Sequence, residues 1–291
     1  VRADDLLVGA WDVHVHAAPS LFPRWGDGWD LAVACRAARM QGVVLKAHHG
    51  STVEVAATVD RHFEGLTVLG GVVLNQFVGG IHPLVVEQTM ALGGRVVWMP
   101  TVHATHHGAV TGRLGAFSFQ GTPLSHTPTT GLSVFDPSGH VSPAVREILA
   151  LLDGTNVVLG TGHLAPVEIL DLRRAIVDDG RRIRLLVNHV LFTMPSLGTE
   201  QLEALSGPDV YFELCDLSCS AMTNATTPAK VASYLSALPQ ARWVIASDSG
   251  QRDNAHSPEA LMRYCAALTR EGVSHDLLER MVKTNPAELM A

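Results

Sequence analysis

The stretch "WDVHVHAAPSLFPRWGDGW" (residues 11–29) begins as a buried strand and runs into a helix, "GWDLAVACRAARMQG", that Gly42 closes. Inside the strand stand His14 and His16, two residues apart. Side chains two apart on a strand share a face. One face near the start of the chain therefore aims two imidazoles at one spot. Whether that spot is a site or an accident depends on where the other polar side chains of the sequence fall.

The same unit, a short Val/Ile/Leu-rich run followed by a helical pattern, returns along the chain. "VVLKAHHG" precedes "STVEVAATVDRHFEG", where Ser51 and Glu54 have the spacing of a capping box. "TVLGGVVLN" precedes "PLVVEQTMALGG", and "RVVWMPTVH" makes a fourth strand. Residues 104–141 break the rhythm, being rich in Gly, Thr, His and Pro with no clear period. A connection that long is normally functional or disordered, and we expect a lid or a subunit contact. The rhythm resumes at "SPAVREILALLDG", with Ser142 as N-cap and Pro143 at the first helical position. "NVVLGTGH", "RIRLLVNHV", "DVYFELCD" and "RWVIASDSG" are strands five to eight, each followed by a helical segment, and "HDLLERMVKTNPAELM" closes the sequence.

Alternation of this kind predicts a parallel sheet with helices outside. Eight units in 291 residues predict one α/β domain, a closed (β/α)₈ TIM barrel with residues 104–141 inserted in its fourth βα connection. An open doubly wound sheet is the alternative. It would carry a Gly-rich phosphate turn after an early strand, and "VHVHAAPS" is no such turn.

Composition narrows the partners. Hydrophobic residues make up 47% and charged residues 17%, which suits a large core and a homo-oligomer interface. The formal net charge is −7 without a basic stripe, so nucleic acid is not the expected partner. No apolar run reaches the roughly 18 residues of a membrane span. The four cysteines form no C-x-x-C pair and read as reduced thiols. With no signal-peptide pattern in "VRADDLLVGAWD", the expectation is a cytoplasmic protein acting on a small molecule.

A TIM barrel builds its site at the C-terminal ends of its strands. Strand one ends with His14 and His16, strand two with Lys46, His48 and His49, and strand four with His103. Strand five ends with His163, strand six with His189, and strand eight with Asp248. A single histidine at a strand end is usually a hydrogen-bonded boundary residue. Six such ends out of eight are not explained that way, and imidazoles with one carboxylate are the ligand set of a zinc-type or manganese-type site. His106, His107, His126 and His140 fall in the irregular segment, where the sequence leaves their role open. The role of the pair Asp216 and Cys219 after strand seven is equally open.

The ordered set "DVHVH", "GTGH", "LVNH" and "IASDSG" resembles the amidohydrolase superfamily, as does the "KTNPAELM" ending. Within that likeness, "DVHVHAAPSLFPR" is similar to a branch with the pattern D-x-H-V-H-x-x-P. The resemblance implies a TIM-barrel enzyme holding a divalent metal, Zn2+ first and Mn2+ or Fe2+ next, through His14, His16, His163, His189 and Asp248. Many members place a carbamylated Lys or a Glu at the end of strand four to bridge two ions. "VVWMPTVHA" has neither, so one ion is expected rather than two, with a carbamate on Lys46 as the competing arrangement.

By the same likeness Asp248 is the expected proton carrier and His189 the expected partner of a carbonyl oxygen. Lys46, Arg24, His48, His103 and Trp98 are the expected substrate contacts, Arg24 and Lys46 for a carboxylate. The function implied is hydrolysis of a C–N or C–O bond, of the cyclic-amide or lactone type, in a small molecule. Non-oxidative decarboxylation on the same scaffold is the alternative, and a non-catalytic metal- or ligand-binding barrel is the third reading.

Overall fold

A computed structural model describes residues 6–117, 122 and 124–291. The strands are β1 (Trp11–His16), β2 (Gly42–Lys46), β3 (Thr67–Leu69), β4 (Gly71–Val73), β5 (Val96–Trp98), β6 (Val158–Gly160), β7 (Arg184–Val187), β8 (Val210–Cys215) and β9 (Arg242–Ala246). All pair in parallel, in the orders β1-β2-β3 and β4-β5-β6-β7-β8-β9. The third run of the sequence supplies both β3 and β4, so nine segments fill eight barrel positions. Closure comes where β1 meets the end of β9. His16 N donates to Ser249 O (2.9 Å) and Asp248 N to His14 O (2.9 Å). The (β/α)₈ barrel read from the sequence is the fold.

The break in the third strand has a local cause. Thr52 Oγ1 accepts from Gly71 N (2.9 Å) and lies 2.8 Å from Leu45 O, to which it donates, so it wedges between neighbouring strands. A side chain at Gly71 would meet Val96 O at 1.9 Å, so only glycine lets β4 approach β5. This changes one expected cap. The helix Val53–Asp60 has Thr52 as N-cap residue without a side-chain capping bond, although Ser51 Oγ does bond Glu54 Oε2 (2.8 Å).

Burial falls into two layers. Val43, Leu45, Leu185, Phe212, Leu214 and Ile245 pack outward against the helices. Trp11, Val13, Val44, Trp98, Leu186, Tyr211 and Val244 fill the barrel interior, joined by Leu289 and Met290 of the helix Asn285–Met290. Period-two alternation then points Lys46, Glu213, Cys215 and Asp248 inward, above that apolar layer.

The connection 104–141 is not wholly irregular. Thr105–Thr111 is a helix that ends at Gly112, in the left-handed conformation (φ 76°). Its one buried residue is His107, so no apolar stripe announces it. Bridges Ala104–Leu132 and Phe135–Val141 join parts of the described remainder to one another. Ser142 caps the next helix through Val145 N (3.4 Å), as its sequence predicts. No helix among the described residues is long and apolar enough to cross a membrane.

Candidate metal centre

Simple alternation along β1 would face His14 and His16 away from Trp11 and Val13. A bulge corrects this. Asp12 pairs with Val43 and Val15 with Leu45, three residues advancing against two. The extra residue re-aims the strand end, so Trp11, Val13, His14 and His16 all turn inward while Val15 packs outward. Asp12 stabilises the bulge from behind, where its buried carboxylate accepts from Ser257 Oγ (2.6 Å), Ser247 N (3.0 Å) and His14 N (3.3 Å). Burial lifts its pKa to about 6 against those hydrogen bonds.

Each imidazole has its outer nitrogen engaged. His16 Nδ1 lies 2.9 Å from Lys46 O, which only accepts, so Nδ1 carries the proton and Nε2 a lone pair. His14 Nδ1 likewise meets Glu213 Oε2 at 3.1 Å. Both Nε2 atoms converge on Asp248 Oδ1, at 3.1 Å from His14 and 3.2 Å from His16. Asp248 is held there by an unusual backbone, φ 50°.

Two acceptors facing a third require a cation. Within the chain itself, the positive charge goes to His14. Burial works against its protonation, but the Asp248 and Glu213 carboxylates raise its pKa to about 9. Lys46 opposes that charge, its Nζ standing 3.0 Å from His14 Nε2 inside a fully buried setting. His16 stays neutral, because burial and then Arg24 lower its pKa to about 3. Its lone pair therefore faces the carboxylate without a proton between them, and a bound cation would resolve that contact. Among the described residues, His14, His16 and Asp248 bring ligand atoms within 4.8 Å of one another, as do His14, Glu213 and Cys215. The first group is the one that faces the strand ends where the sequence places its histidines and Asp248.

The other histidines are oriented by neighbours. His107 Nε2 lies 2.9 Å from Ala116 O and donates to it, so His107 Nδ1 is an acceptor. It sits 2.9 Å from His163 Nδ1, which must then be the donor. His163 Nε2 is left with the lone pair, as in His16. His163 lies beside the cluster rather than in it, its ring 5.2 Å from that of His189. His189 has φ 28°, donates its backbone N–H to Glu213 Oε2 (3.0 Å), and leaves Nδ1 buried without a hydrogen-bond partner. An unpaired lone pair costs less there than an unpaired N–H, so the proton belongs on Nε2. Burial, opposed by Asp248 and Glu213, lowers the His189 pKa to about 4. Asn188 Nδ2 adds a further bond to Glu213 Oε2 (3.0 Å).

These groups open on one cavity of about 280 Å³. It is lined by His14, His16, Arg24, Lys46, His48, His163, His189 and Asp248, eight of the ten residues to which the sequence assigns a metal, catalytic or substrate role. Trp98 and His103 do not line it. Trp98 is fully buried in the interior apolar layer, in space that Gly160 leaves open, with Lys46 Nζ 5.3 Å from its ring centre. His103 stacks on Phe77 (4.5 Å between centres), and its Nδ1 accepts from Gln76 N (3.1 Å). Position after a strand cannot distinguish such places from the cavity wall. Asp216 is ion-paired with Arg263.

Of two further contributors, Glu213 is not among the residues that the sequence singles out, and His107 is one of those whose role the sequence leaves open. Glu213 was discoverable, being the one acid in the apolar run "VYFELC" at an inward register. His107 carried no such signal.

By sequence, the profile of a family of unknown function, DUF6282, matches residues 9–213. A comparison with curated proteins returns no match. By structure, the chain is similar to an amidohydrolase from Pseudomonas aeruginosa, with TM-score 0.64 and 11% identity over 100% of this chain and 98% of the other. It is also similar to an engineered organophosphate hydrolase built on a promiscuous lactonase, with TM-score 0.56 and 15% identity over 100% and 98%. A mutant organophosphorus hydrolase of Deinococcus radiodurans gives TM-score 0.56 and 15% identity over 100% and 95%. At such identities the likeness establishes the barrel. The profile match covers more than half of the sequence, and the chain belongs to the DUF6282 family.

Proposed function

We propose that this protein is a metal-dependent hydrolase of the amidohydrolase type, cleaving a C–N or C–O bond in a small cyclic amide or lactone. One observation carries the reading: buried partners engage Nδ1 of His14 and His16, so that both Nε2 atoms face the Asp248 carboxylate. The names of the similar barrels, an amidohydrolase and a lactonase derivative among them, support it. His14, His16 and Asp248 would hold a single divalent ion of the zinc class, with His163 completing the set. The end of β5 supplies Trp98 and Met99, both apolar and buried, where a second ion would need a bridging carboxylate.

A divalent ion in such a site supplies Lewis acidity, lowering the pKa of water toward about 7 and polarising a carbonyl. The chain does the rest. Asp248 accepts the proton of the attacking water and returns it to the leaving nitrogen or oxygen. His189 donates Nε2–H to the carbonyl oxygen as charge develops there. Glu213 holds His14 and the His189 backbone in register, and His107 does the same for His163.

The test is a panel of small lactones and cyclic amides offered to the purified protein with and without chelator. Turnover lost on chelation and regained with zinc supports the reading. Release of carbon dioxide from unsaturated or aromatic acids, without hydrolysis of the panel, would replace it with decarboxylation.

A further inference from the structure

The hydrolytic roles leave one charge on the cavity wall unused. Arg24 lines the cavity and is only part-buried. Its Nε donates to Ser20 Oγ (3.3 Å), and its guanidinium carbon stands 5.7 Å from the Phe22 ring centre. Among the described residues no carboxylate lies within salt-bridge distance of it. Burial outweighs the pull of Asp248 and lowers its pKa to about 10, which leaves it charged at neutral pH.

Its position is fixed by backbone. Trp25 N donates to Gly250 O (3.0 Å), Arg252 N donates to Pro23 O (3.3 Å), and Arg24 itself bridges Gln251. The loop after β1 is thereby fastened to the loop after β9, which carries Asp248. The other cavity cations are engaged. Lys46 Nζ is on His14. Arg252 is exposed and faces Asp253 at 3.6 Å.

Much of the remaining wall is apolar, with Phe22, Phe117, Phe192, Leu217 and Met222, beside the polar Thr223 and Gln251 and the Arg252–Asp253 pair. At about 280 Å³ the space suits a body of one ring. A single unpaired guanidinium matches a monoanion in a planar, two-toothed fashion. A phosphate ester, with about −1.5 to −2 charges at neutral pH, would bring more negative charge than this wall offsets.

We propose that the site takes a small monocarboxylate with an apolar, ring-sized body, and that Arg24 selects it by pairing with the carboxylate. This rests on the cavity being the hydrolytic site and names its substrate class. The carboxylate is held at the wall while the scissile bond faces Asp248.

Benzoate and benzamide are a matched probe pair, and calorimetry reads their affinities for wild type, Arg24→Gln and Arg24→Lys. Each protein is measured metal-loaded and chelator-treated, with circular dichroism confirming the fold. Wild type should prefer benzoate by roughly tenfold or more, the size of a charge-assisted pair. Arg24→Gln should erase the preference in both metal states, and Arg24→Lys should keep part of it. Equal binding of the two probes by wild type, or benzoate binding by Arg24→Gln within twofold of wild type, overturns the proposal. The second result would mean that the carboxylate is held elsewhere, on the ion for instance. Elemental analysis of the same samples tests the metal reading separately, since an Arg24-dependent preference in metal-free protein stands whatever the ion content.

Discussion

Replacing Glu213 with Gln removes one charge from the interior of the barrel and changes almost no volume. Glu213 Oε2 accepts from His14 Nδ1 (3.1 Å), Asn188 Nδ2 (3.0 Å) and His189 N (3.0 Å) in a fully buried position. A glutamine oxygen can keep these contacts, but as neutral bonds in place of charge-assisted ones, each about half as strong. For His14 the loss is about 1.5 kcal/mol, which corresponds to ~10-fold in affinity at Nε2. Partners that orient a metal-bound histidine are generally worth about 10–100-fold in metal affinity, so the two estimates agree. The amide nitrogen would replace Oε1, which has no hydrogen-bond partner, and an unsatisfied donor there costs ~1–3 kcal/mol of folding stability. Competition with a chromophoric chelator measures the affinity without any substrate, and thermal unfolding measures the second effect. Zinc affinity within twofold of wild type in Glu213→Gln would show that His14 does not depend on this carboxylate, and the tautomer argument would fail.

Other substitutions separate the remaining roles. Asp248→Asn should fold normally and lose roughly 10²–10⁴-fold in turnover, the contribution of a general base; near-normal turnover would remove Asp248 from proton transfer. His107→Leu should weaken zinc binding by about tenfold through loss of the acceptor for His163 Nδ1, and His107→Asn should restore part of it. Lys46→Ala should leave the ion count unchanged, because the single ion proposed is held by His14, His16, His163 and Asp248 and needs no bridge from β2. A fall from two ions to one on that change, read by elemental analysis, would mean that Lys46 carries a carbamate bridge.

Most of the architecture was legible because the barrel strands are runs rich in Val, Ile or Leu, most of them closed by polar residues among which histidine predominates. His14, His16, His163, His189 and Asp248 stand out in sequence because catalytic-type side chains cluster at one end of six of the eight strands. What alternation could not show was tertiary. The bulge between Asp12 and Val15 depends on Ser247 and Ser257, which are more than 230 residues away. The interruption at Gly70 depends on Thr52, and the helix Thr105–Thr111 has no apolar period because it buries a histidine. Trp98 and His103 lie on the same chain segment as a strand end, yet one belongs to the interior layer and the other to the Phe77 stack. Glu213 marks a different shortfall, since an acid at an inward register of an apolar strand is a readable signal in its own right.

Binding of a metal ion by His14, His16 and Asp248 is decided by the metal content of the protein. Protein expressed with zinc, manganese and iron supplements, passed through gel filtration and analysed by inductively coupled plasma mass spectrometry, should retain one divalent ion per chain. The His14→Asn/His16→Asn double variant, folded by circular dichroism, should retain none. Wild-type protein holding no more metal than the double variant would contradict the account.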